Sequence, residues 1–215
     1  MSDTVQRIVS CFLFTCVLVS CKRTDTPKPL GYLRIDLPKA SYQTALLEEM
    51  PFVFNVSAHA IVEIPTDETV TTASQNLSSQ TSRESSSTEP ATLWLNIDYP
   101  QLKAKIYCSY LPTTPQQLET LEEECRRFML QSAKNANAIN EKTFENRAQH
   151  VYGVLFLIEG ATVSPVQFIL TDSISHFFRG ALYYKEHTSR PDSIAPITEY
   201  LSKDVVELVQ SFSWK

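Results

Sequence analysis

Glycine is scarce in this chain: four residues in 215, at Gly31, Gly153, Gly160 and Gly180. None sits in a Gly-x-Ser-x-Gly elbow, a Walker loop or a dinucleotide fingerprint, so the backbone turns that cradle phosphate or expose a nucleophile have no material here. Histidine is equally sparse. His59, His150, His176 and His187 are far apart, and none has a second histidine or a cysteine at ligand spacing, so no metal site is expected. Basic residues do not cluster, and the net charge is −5, which argues against a nucleic-acid partner. Adjacent carboxylates, Glu48-Glu49 and Glu122-Glu123-Glu124, read as solvated charge, because a general acid and base converge from different elements. No run of apolar residues is long enough to span a bilayer.

The longest such run, Ile8 to Val19, has the length of a secretion signal's apolar core. It leads into Leu18-Val19-Ser20-Cys21, which fits a lipobox: an apolar residue, small residues that suit the signal peptidase, then the cysteine that takes the lipid. Residues 1–20 are therefore expected to be a signal peptide and Cys21 a lipidated N-terminus bearing diacylglycerol and palmitate. That covalent lipid is the one non-protein group expected; no cofactor is. Residues 21–29, polar and proline-containing, read as a tether. Of the five cysteines, Cys11 and Cys16 leave with the signal and Cys21 is acylated, so Cys108 and Cys125 remain. Both lie on apolar faces of their elements, and two readings stay open: a disulfide joining strand to helix, or two inert buried thiols.

Residues 30–215 are expected to form one domain. Gly31 to Pro38 alternates as an extended segment, and short strands are expected at Phe52 to Val56 and Ala60 to Ile64. Thr66 to Pro90 is Ser/Thr/Gln-rich with few apolar residues, and reads as a disordered insertion at about 66–90. Strands follow at Leu93 to Asp98 and Leu102 to Tyr110. Thr114-Pro115-Gln116-Gln117 offers an N-cap, a first-turn proline and a capping box for a helix to about Lys134, whose apolar stripe is Leu118, Leu121, Cys125, Phe128 and Met129. Four more strands are expected at Ile139 to Phe144, Val151 to Ile158, Val166 to Thr171 and Phe177 to Tyr184, the last three joined by short antiparallel links. A final helix, capped by Asp192 or Ser193, has the stripe Ile194, Ile197, Leu201, Val205, Leu208 and Phe212, with Pro196 in its first turn. The fold class is then α+β, an antiparallel sheet flanked by helices in an α/β/α sandwich, which at fold level resembles the PsbP and Mog1 family. Arg179 stands inside an apolar strand and should need a carboxylate, for which Glu159 or Asp172 are candidates. Asp172-Ser173-Ile174 and Asp192-Ser193-Ile194 are short enough to match an O-glycan acceptor tripeptide by chance.

Several strings together resemble one family. They are Pro27 to Pro38 (PKPLGYLRIDLP), Leu95 to Pro100 (LNIDYP), Val151-Tyr152-Gly153, Val166 to Ser173 (VQFILTDS), His176 to Tyr184 (HFFRGALYY) and the terminal Phe212-Ser213-Trp214-Lys215. In these the chain is similar to GldD, the gliding motility lipoprotein of Bacteroidetes. The resemblance implies a cell-envelope protein needed for gliding and the associated type IX secretion, with no catalytic residues to transfer. It implies partners among the envelope proteins of those processes, and a membrane contact made through the lipid. Lys22-Arg23-Thr24 lacks the acidic cluster of surface-exported lipoproteins in that phylum, so the expected orientation is toward the periplasm, in either membrane. The alternatives are an envelope carrier of a small ligand and a hydrolase without a recognisable motif.

Overall fold

The computed structural model describes residues 35–65, 92–185 and 191–215, with side chains from 194 in the last stretch. The leader, Cys21, the tether and the 66–90 insertion lie outside the described residues. Among these the chain runs β1 (Tyr42–Ala45), β2 (Phe52–Ser57), β3 (Ile61–Glu63), β4 (Leu93–Tyr99), β5 (Ala104–Pro112), α1 (Pro115–Ser132), β6 (Asn135–Asn146), β7 (Val151–Ala161), β8 (Val166–Thr171), β9 (His176–Tyr184), α2 (Pro191–Ser211) and β10 (Ser213–Trp214). Seven strands form one antiparallel sheet in the order β3-β4-β5-β9-β8-β7-β6. A second, three-stranded sheet has the order β1-β2-β10. The α+β sandwich expected from the order of elements is the observed architecture.

Period-two alternation assigns the strand side chains to two faces. Leu95, Ile97, Ile106, Cys108, Tyr110, Phe168, Leu170, Phe178 and Leu182 point to one face, where α2 and the small sheet cover them with Phe52, Phe54, Leu201, Val205, Leu208 and Phe212. Aromatic rings fill the centre: Phe52 and Phe178 lie 4.7 Å apart, Phe52 and Phe212 5.3 Å, Phe178 and Phe212 5.4 Å. Gly180 makes room for them, since a Cβ there would meet the Phe168 ring at 2.4 Å. The opposite face is covered by α1, whose Leu118 and Cys125 pack on Phe177 and whose Met129 packs on Phe156 and Ile158.

Several local expectations need correction. The extended segment ending at Pro38 is not a strand over its described part, residues 35–38; the first strand is β1, whose exposed side chains give it no apolar signature. Thr114 is the N-cap of α1 and Pro115 its first residue, but the Thr114 hydroxyl donates to the Gln117 side chain (3.2 Å) instead of accepting a backbone N–H. Phe128 is 51% exposed rather than buried in the stripe. Helix α2 starts at Pro191, so Pro196 falls inside it, beyond the first turn. The Glu199–Lys203 pair forms as its spacing predicts, at 2.8 Å.

Candidate functional site: a groove beside helix α1

Helix α1 lies off-centre on its face. Its flank toward β6 is fixed by Arg126, which pairs with Glu141 at 2.8 Å and covers the Phe156 ring at 5.6 Å. Its C-terminal end is tied down by Ser132, whose hydroxyl receives Gln167 Nε2 at 3.0 Å and whose carbonyl receives the Thr162 hydroxyl. The side chains of Trp94, Tyr107 and Tyr183, projecting from β4, β5 and β9 on this same face, are left beside the helix rather than beneath it. Between them and α1 runs a groove of about 510 Å³, with Phe128 on the helix side and Arg179 and Gln167 from the strands.

Among the described residues, Arg179 is the only charged side chain lining this groove. The carboxylate partner expected for it is absent among the described residues: Glu159 binds Asn140, and Asp172 is engaged in its own turn. Instead Nε donates to Ser109 Oγ at 3.0 Å and Nη1 to Cys125 Sγ at 3.4 Å. The physical reason lies in β-sheet register. Arg179 pairs with Ser109 on β5 and Ile169 on β8, so its nearest cross-strand side chains are neutral, while Asp172 lies beyond the end of β8. Nor does the thiol neutralise the guanidinium, because burial pushes Cys125 up more than the charge of Arg179 pulls it down. Glu122 and Glu124 are felt at that thiol, yet neither is within ion-pair distance of Arg179.

The two cysteines do not meet. Both are free and buried, Cys108 in the core beneath α2 and Cys125 in the cluster beneath α1, with the sheet between them. Burial pushes the Cys108 thiol far above its ordinary range, as suits an inert apolar residue. Of the sequence's candidates, then, the groove brings Cys125 and Arg179 together. Trp94, Tyr107, Ser109 and Tyr183 were missed as a group, although the alternation of β5, with Lys105, Tyr107 and Ser109 on one side, carried the signal.

A second, shallower cleft of about 400 Å³ lies where β8, β9 and β10 end, among His150, Asp172, His176 and Trp214. Its parts are internally satisfied. The Tyr110 hydroxyl and His176 Nδ1 are 2.7 Å apart, His176 stacks on Trp214 at 4.8 Å, and Trp214 Nε1 donates to the His150 carbonyl at 3.2 Å. Burial pushes the Asp172 carboxyl up, but N–H groups of Ile174, Ser175 and His176 outweigh it and hold it below the usual range. Three of the strings that carried the family resemblance, around His150, Asp172 and His176, meet the fourth at Trp214.

A third polar cluster joins a buried carboxylate to an exposed tyrosine. Asp204 on α2 accepts the Tyr42 hydroxyl at 3.0 Å through Oδ1, while Oδ2 is buried without a hydrogen-bond partner. Burial is the main reason its carboxyl is pushed up, and the same burial together with Asp204 pushes Tyr42 up to about 12.

The model of the family described as gliding motility lipoprotein GldD matches residues 22–214. The chain belongs to that family. GldD membership makes it a gliding motility lipoprotein, an envelope protein anchored to a membrane by lipid. No match was found among curated proteins. Among solved structures, the chain is similar to the solution structure of cyanobacterial PsbP (CyanoP) from Synechocystis sp. PCC 6803, at 10% identity and a TM-score of 0.40, over 87% of this chain and 99% of that one.

Proposed function

We propose that this GldD-family lipoprotein is held by a lipid on Cys21 at a periplasm-facing membrane surface and serves gliding and type IX secretion through protein contacts rather than catalysis. The family match begins at Lys22, the residue after the lipobox cysteine, which supports processing at that point. The observation that carries the contact reading is the half-covered sheet face. Trp94, Tyr107, Tyr183 and Arg179 are the residue types that dominate protein interfaces, and here they line a groove beside the helix, Tyr107 exposed and the other three half-buried. A small-ligand carrier is the second reading, favoured by the volume of the same groove.

The test is a deletion strain complemented with the wild-type gene or with Cys21→Ala, scored for spreading on agar and for secreted cargo. Loss of both phenotypes in the Cys21→Ala strain is the expected result. Full rescue by the unlipidated protein would make anchoring incidental. Recovery of no gliding or secretion protein from detergent-solubilised envelopes would count against the contact reading.

A further inference from the structure

The groove beside α1 holds a cation with no anion. A guanidinium carries five N–H donors, and Arg179 commits two of them, to Ser109 and Cys125. Its Nη2 has no partner among the described residues, and the side chain lines the groove. The two committed bonds fix the plane of the group, so the remaining donors are presented in a set direction. A half-buried charge with no counter-ion is costly, and a carboxylate that accepts two parallel N–H bonds relieves that cost.

The walls say what must accompany the carboxylate. Tyr107 and Phe128, on opposite sides of the groove, are 40% and 51% exposed, large values for aromatic rings. A pocket for a small molecule encloses most of its ligand. Here the rims stay wet unless something longer than the groove lies across both.

We propose that the groove is the docking site for an extended peptide segment of an envelope partner, with a carboxylate side chain received by Arg179 and flanking apolar side chains received by Trp94, Tyr107 and Phe128. The proposal rests on the contact reading above and specifies the partner's chemistry. Arg179 supplies selectivity and the aromatic rims supply most of the buried area.

The test uses the full lipoprotein in detergent and two fluorescein-labelled peptides, N-acetyl-Phe-Asp-Phe and N-acetyl-Phe-Asn-Phe amides, read by anisotropy. Wild type should prefer the Asp peptide by about tenfold, the worth of one charge-assisted hydrogen bond. Arg179→Gln should abolish the preference, and Tyr107→Ser should weaken both peptides about equally. Equal binding of the two peptides by wild type, or a preference that survives Arg179→Gln, overturns the proposal. If free phenylacetate displaces the Asp peptide at similar concentration, the groove is a small-carboxylate site and the peptide assignment falls. Should Arg179→Gln fail to fold by circular dichroism, Tyr107→Ser decides, and an unchanged affinity for the Asp peptide sinks the idea. In cells the two readings separate. Groove variants that glide normally while Cys21→Ala does not would remove the groove and leave the envelope role standing.

Discussion

The two faces of the seven-stranded sheet are built to different rules. One is closed by α2 and the small sheet, and its centre is a stack of phenylalanine rings less than 6 Å apart. The other is covered by a single helix fixed to one side, with tyrosine, tryptophan and an unpaired arginine beside it. A face that only had to stabilise the fold would bury its rings and omit the guanidinium. The closed face holds the structure together, and on the reading proposed above the half-covered one serves recognition.

Four substitutions test that division, in falling order of their expected cost to stability. Phe178→Ala empties the centre of the closed face and should cost about 3–5 kcal/mol in urea unfolding; a loss below about 1 kcal/mol would mean the ring stack is not the core. Gly180→Ala presses a methyl group against the Phe168 ring and should cost about 1–3 kcal/mol. Asp204→Asn addresses the buried carboxyl through pH. Because the folded protein raises this group above its ordinary 3.8, the fold binds its proton more tightly than the unfolded chain does. Its contribution is therefore full below about 3.8 and is lost as pH rises through the folded value. The wild type should show that fall in a series of Tm measurements, and the Asn variant should flatten it. Tyr107→Ser, on the half-covered face, should change unfolding free energy by no more than about 0.5 kcal/mol while impairing gliding. A large loss of stability there would erase the distinction between the faces.

Much of this was legible in the residues. Near-continuous apolarity placed β7 and β9 at the interior of a sheet, and the short links between β7, β8 and β9 fixed them as antiparallel neighbours. Arg179 stood out because a charge interrupted such a strand. Its true partners were not legible, since Ser109 is brought opposite it by the register of β5 against β9, and Cys125 by the position of a helix 54 residues away. The same register explains the cysteines: both are core-facing as their patterns indicated, but periodicity within an element does not say which face of a sheet a helix will cover. Strand β1 escaped notice because three of its four residues are exposed and it is recognised by pairing with β2 alone.

The closed face is completed from two distant parts of the sequence. Strand β10 pairs with β2, joining Ser213 to Val53 and Trp214 to Phe52, and Phe212 completes the ring stack from the same terminal stretch. Strand β2, early among the described residues, thus has a neighbour in β10 that is distant in sequence. Without Phe212 to Lys215 both the ring contact and the β2 pairing would be lost. The closed face is therefore held by residues far apart in the sequence, so a change in either stretch is felt in the other.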